Sequence, residues 1–71
     1  MSFSLILSLL GMEKILRKAG APRVSKDAAE ELATTLEDIG DIIAKDALEY
    51  ARHAGRKTIL GEDVKLAKKK F

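Results

Sequence analysis

The sequence predicts an all-α chain of three helices, short, long and short, that completes its core by crossing antiparallel with a second copy. Three observations predict it. Apolar residues recur at spacings of three and four along most of the chain. Two basic stretches that contain glycine, Gly20–Ser25 and Gly55–Ile59, interrupt that rhythm. The apolar stripe between them is too long for its short flanking helices to cover.

The chain opens on an uncharged apolar run, residues 1–11, which includes Phe3, Leu5, Ile6, Leu7, Leu9 and Leu10. It is too short to span a bilayer, which needs roughly 20 residues. It lacks the positive flank and small-residue cleavage site of a signal peptide. Three readings stand. The run extends the first helix and packs on a neighbour, it precedes a true start at Met12, or it is an added oligomerisation or membrane-surface element. The first is favoured. Residues 12–71 are assigned to a single helical domain.

The first helix is expected over Met12–Ala19, with Met12, Ile15, Leu16 and Ala19 on one face. Gly20 fits a left-handed C-cap, and Pro22 cannot continue a helix. Ser25 is a natural N-cap for the next helix, with Asp27 in its first turn. That second helix is expected over Ser25–Ala54, 30 residues, or about 45 Å. Its stripe is Ala29, Leu32, Leu36, Ile39, Ile43, Ala47, Tyr50 and Ala54, widened by Ala28, Ala33, Ile42, Ala44, Leu48 and Ala51. Left in water, Leu36, Ile39 and Ile43 would form a large exposed patch. A second copy crossing at mid-helix covers it. Gly40 sits at the helix centre, where glycine costs about 1 kcal/mol relative to alanine. A close helix crossing accounts for it; the alternative is a slack, exposed glycine. Gly55 marks the second C-cap, and a third helix starts near Gly61 and runs toward Phe71.

Composition narrows the function. A chain of 71 residues is one small domain, marginal unless stapled or partnered. There is no Cys and one His, so neither a disulfide nor a zinc site of ordinary ligands can form. The lack of cysteine suits an intracellular setting. No glycine-rich phosphate loop follows a strand, and no catalytic constellation has a recognisable spacing, so an enzyme is not expected. The net charge is only +2, but its sign is partitioned. Asp27 to Glu49 holds eight acids against Lys45 alone, a segment charge of −7, and the remainder carries +9. Such a map favours an anionic partner at the loops and ends, with water along the middle. The plainer reading is a solvated helix with a basic tail. In an antiparallel dimer, Arg23 of one copy would join Arg56, Lys57 and Thr58 of the other. Regularly spaced cationic sites on one edge could follow a DNA backbone around a bend.

With these elements in place, the chain closely resembles the archaeal histones. Lys18-Ala19-Gly20-Ala21, Arg23-Val24-Ser25, the string Ala51-Arg52-His53-Ala54-Gly55-Arg56-Lys57-Thr58-Ile59 and Glu62-Asp63 carry the resemblance, which covers about Lys14 to Phe71. The resemblance implies a histone fold: a dimer that binds, bends and wraps double-stranded DNA with little sequence specificity and assembles into nucleosome-like or superhelical particles. It implies Lys14, Arg23, Lys57 and Thr58 as DNA contacts, Arg23 entering the minor groove. Arg56 and Asp63 would be the ion pair that orients the second loop. Tyr50, His53 and Asp63 would lie at a dimer–dimer interface; a surface His53 capping its own helix is the alternative. Lys18, Gly20 and Asp41 would take part in stacking between layers. Partners would be DNA, further copies of the chain or a histone paralogue, with no cofactor and no small-molecule substrate. The expected location is the cytoplasm, on the chromosome. One departure stands out. Family members commonly begin with a short proline-containing segment, and Ser2 to Leu10 contains no proline.

Overall fold

A computed structural model describes residues 7–69. Within them lie three helices, α1 (Leu9–Lys18), α2 (Lys26–His53) and α3 (Gly61–Lys68), and no strand. Phe3, Leu5, Ile6 and Phe71, which figured in the sequence expectations, lie outside the described residues.

Helix α1 begins three residues earlier than the periodicity suggested. The Ser8 hydroxyl accepts the Gly11 N–H at 3.2 Å, and the Ser8 carbonyl accepts the Met12 N–H at 3.0 Å. A serine set inside an apolar run is therefore an N-cap, and Leu9, Leu10 and Gly11 form the first turn. Met12 is buried and Leu16 half-buried, but Ile15 is 49% exposed and Ala19 is exposed.

Helix α2 starts where Ser25 predicts. The Ser25 hydroxyl accepts the Ala28 N–H at 3.2 Å, the geometry of an N-cap side chain reaching the third helical residue. The helix has 28 residues, a length of about 42 Å. Thr34 and Thr35 turn their hydroxyls back onto the carbonyls of Glu30 and Glu31, so neither leaves its donor unmatched.

The chain divides into two units, Met1–Asp38 and Ile39–Phe71, the boundary falling inside α2. In the first, Met12, Ala29 and Ala33 form the buried centre, flanked by Leu7, Leu9, Val24, Leu32 and Leu36. Leu7 and Leu9 thus pack on the core. In the second unit Ala47, Ala51 and Ala67 are fully buried. The buried face of α3 is Asp63 and Ala67, one turn apart. Val64 and Leu66, the apolar residues that suggested this helix, remain more than 40% exposed.

The buried set is made almost wholly of alanine. The larger apolar side chains Ile39, Ile42, Ile59 and Leu60 are each at least 38% exposed. Fully burying a Leu or Ile contributes about 1.5–3 kcal/mol, and for these four side chains that gain is realised only in part within one chain.

Candidate nucleic-acid interface

Both basic loops begin with the same backbone device. At the end of α1 the Gly20 N–H donates to the Arg17 carbonyl at 2.9 Å, and the Ala21 N–H to the Leu16 carbonyl at 3.3 Å. At the end of α2 the Gly55 N–H donates to Arg52 and the Arg56 N–H to Ala51, both at 2.9 Å. This pair of bonds is the Schellman motif, which needs a left-handed residue at its turn. Gly20 has φ +114° and Gly55 φ +71°. The motif satisfies the last helix carbonyls and turns the chain sharply into an exposed tip.

In the first unit the tip carries Arg23, which is exposed, as are Lys14, Lys18 and Gly20. Among the described residues, Lys14, Lys18 and Arg23 take part in no ion pair. The tip runs directly into the N-terminus of α2. Ser25 caps one N–H there, while those of Lys26 and Asp27 have no partner within the helix. These positive dipole ends lie three and four residues beyond the Arg23 guanidinium in sequence, an arrangement suited to an anion.

In the second unit the tip is tied down. Arg56 reaches Asp63 with both nitrogens of its fork, Nη1 to Oδ2 at 2.8 Å and Nη2 to Oδ1 at 3.0 Å. Nη1 also donates to the Thr58 carbonyl at 3.1 Å. Asp63 accepts a further bond from the Leu60 N–H at 2.7 Å. It therefore caps α3 from within the first turn, replacing the side-chain cap that Leu60 cannot supply. Asp63 is 2% exposed. Hydrogen bonds from Arg56, then from the Leu60 N–H, together with the Arg56 charge, outweigh burial and lower its pKa to about 2. The Arg56 pKa is raised, chiefly by its hydrogen bonds to Asp63. Glu62 adds a longer contact, 3.8 Å to Nη2. Lys57 sits between Arg56 and Thr58, whose carbonyl Arg56 holds. Lys57 and Thr58 are both exposed, and among the described residues neither backbone N–H donates to a backbone carbonyl. One cation, one hydroxyl and two N–H groups are thus held at a single tip.

The remaining predicted residues are placed as follows. Tyr50 is half-buried and His53 exposed. Tyr50, Arg56, Asp63 and Leu66 border an open groove of about 500 Å³ along the second unit. Within the chain Asp63 is engaged by Arg56 and Leu60 rather than by His53. Asp41 is exposed and paired with Lys45 one turn on, Nζ to Oδ2 at 3.0 Å, a contact of little strength in water.

Sequence reasoning missed two features of the site. One is the Asp63 cap, whose signal was an acid three residues after Leu60. The other is Arg17, which binds Glu13 one turn back and also reaches the first loop at the Pro22 carbonyl. The Glu13–Arg17 spacing of four was its signal.

The family model for histone-like transcription factors (CBF/NF-Y) and archaeal histones matches residues 8–67. The chain is 52% identical over 63 residues to one subunit of the archaeal histone HAN1 of Thermococcus zilligii, covering 89% of this chain and 94% of that protein. It is 50% identical over 54 residues to probable archaeal histone 3 of Methanocaldococcus jannaschii, covering 76% and 81% respectively. Three helices, two Schellman-capped basic loops and these matches together make the chain a member of the histone-like transcription factor and archaeal histone family.

Proposed function

We propose that this chain is an architectural chromatin protein. Two copies cross antiparallel along α2, bind double-stranded DNA on a shared basic edge and bend it. The observation that carries the reading is the matched construction of the two loops. Each leaves its helix through a glycine Schellman turn and presents an exposed cation, Arg23 in one and Lys57 in the other. Lys14 and Thr58 add contacts beside them. Nothing in this set reads a base edge, so affinity rests on phosphate neutralisation, minor-groove arginine and the deformability of the duplex. Arg at position 23 suits a narrow minor groove because guanidinium is planar and weakly hydrated.

Dimerisation is supported by the exposed Ile39, Ile42, Ile59 and Leu60, which a single chain does not cover. In the crossed pair the first loop of one copy lies beside the second loop of the other. Further assembly would use the groove bordered by Tyr50 and Leu66, with His53 of one dimer approaching Asp63 of another, and layers would stack through Lys18, Gly20 and Asp41. The role is architectural, not enzymatic.

The test is the salt dependence of duplex affinity. Each phosphate contact contributes a slope of about −0.9 in log K against log salt. Arg23→Ala with Lys57→Ala removes up to four contacts per dimer, so the slope should flatten by about 3 to 4. An unchanged affinity and slope would sink the reading. Micrococcal nuclease digestion of saturated DNA then separates stepwise assembly, seen as a ladder, from a closed particle, seen as one protected size.

A further inference from the structure

The first loop has a holding device built on the Glu13–Arg17 pair. Glu13 Oε1 accepts two bonds from Arg17, from Nε at 3.1 Å and from Nη2 at 2.9 Å. This turns the third nitrogen of the guanidinium toward the loop, where Nη1 meets the Pro22 carbonyl at 3.5 Å. Pro22 is the residue before Arg23. Between the Schellman turn at Gly20 and the N-cap at Ser25, Pro22 has no N–H to donate, and among the described residues no backbone N–H of Arg23, Val24 or Ser25 is bonded to a backbone carbonyl. Among those same residues, Arg17 is the one side chain that bonds to the backbone of that stretch.

The second loop has the same three parts. A carboxylate (Asp63) holds a guanidinium (Arg56), which holds the carbonyl of a residue (Thr58) adjacent to the exposed cation Lys57. The two devices differ in strength. Asp63 is 2% exposed, whereas the Arg17 and Glu13 side chains are 52% and 36% exposed. The 3.5 Å contact is also at the long end for a hydrogen bond. The first device biases its loop, whereas the second fixes its own.

We propose that Arg17, oriented by Glu13, is a positioning residue for DNA binding: it sets the path of Pro22 and so the direction from which Arg23 is presented. Arg17 acts through Arg23 and is not itself the phosphate ligand. The proposal rests on the DNA-binding reading above.

Charge arguments and positioning arguments give opposite signs for Glu13→Gln, which makes the idea testable. Removing a negative charge beside a basic surface should tighten DNA binding if Arg17 and Glu13 matter only through net charge. It should weaken binding if Glu13 is needed to aim Arg17. We expect Glu13→Gln to weaken affinity for a mixed-sequence duplex about 3- to 10-fold, the scale of one modest hydrogen-bond network. Arg17→Lys, which keeps the charge but loses the fork, should do the same. Both effects should vanish when combined with Arg23→Ala, because the residue being positioned is gone. Helix content and thermal midpoint, followed by circular dichroism, should stay near those of the unmutated chain, since the pair is exposed. Tighter or unchanged binding by Glu13→Gln overturns the proposal, as does a loss that persists undiminished in the Arg23→Ala background. If Arg23→Ala weakens binding while Glu13→Gln strengthens it, the DNA reading survives and the positioning role fails. If the unmutated chain does not bind duplex, both fall together.

Discussion

Gly40→Ala tests whether two copies cross at the middle of α2. Gly40 lies on the helical line Ala33, Leu36, Gly40, Ile43 and Ala47, at spacings of three and four. Ala33 and Ala47 on that line are fully buried, while Gly40 is exposed. A Cβ added there would meet nothing within 4 Å in one chain. Its backbone is helical and lacks a positive φ. For an isolated chain, alanine is therefore the better residue by about 0.8–1.0 kcal/mol. In a domain of this size that raises the thermal midpoint by about 4–8 °C. At a close crossing the new methyl meets the partner helix, and overpacking costs about 1–3 kcal/mol. The helix gain offsets part of this, leaving a net change between zero and about −2 kcal/mol per protomer. The assay is thermal unfolding by circular dichroism over a hundredfold range of protein concentration, because the midpoint of an obligate dimer rises with concentration. We expect a lowered midpoint with the concentration dependence retained. A rise of about 4–8 °C with no change in concentration dependence would place the centre of α2 in water and refute the crossing. Gly61→Ala is the control, since that glycine also has open space around its Cβ position and should be neutral or slightly stabilising.

Two further predictions concern the loops. The pKa of Asp63 is lowered from an ordinary 3.8 to about 2, so the folded chain holds this proton less tightly than the unfolded one. Its contribution to stability is complete above about pH 4 and is lost as pH falls through about 2. Asp63→Asn should lower the midpoint at neutral pH and flatten that acid limb in a plot of midpoint against pH; an unaltered limb would mean the ion pair is not the source. Gly55→Ala should cost about 1–2 kcal/mol in urea unfolding, and Gly55→Asn less, since Asn tolerates the left-handed region near φ +71°. Gly20, at φ +114°, lies outside that well. Both Ala and Asn there should therefore be worse than at position 55, and equal costs at the two sites would contradict the backbone argument.

The helices were legible because local chemistry and apolar spacing agree. Ser25, Gly20 and Gly55 do in the structure what their residue types suggest, closing helix ends with a hydroxyl or a positive φ. Elsewhere the periodicity marked apolar faces without saying what covers them. Ile15, Ile39, Ile42, Val64 and Leu66 belong to apolar stripes yet are exposed in the chain, while small Ala33, Ala47, Ala51 and Ala67 are buried. A hydrophobic pattern records every contact a helix will make, including those with another copy. It does not say which belong to the same chain. The Ser8 cap was overlooked for a related reason: a polar residue in an apolar run reads as an interruption until the helix is known to start there. The Arg56–Asp63 pairing was suggested by family resemblance, but its hydrogen bonds to Thr58 and Leu60 depend on how the chain between the two residues folds back.

Alanine at the buried positions links the fold to the proposed function. A methyl lets backbones approach closely but contributes little apolar area, while Ile39, Ile42, Ile59 and Leu60 stay exposed in the chain. In the proposed dimer the second copy covers them, so folding would be coupled to association. The loops do not share that dependence. Asp63 and Arg56 close one within its own unit, and Gly20, Ser25 and Arg17 shape the other within its own. In the proposed dimer, association therefore need not build either DNA contact. It has only to bring two prepared loops onto one edge, which is why substitutions along α2 should change the concentration at which DNA is bound, whereas those at Arg23 and Lys57 should change the salt slope.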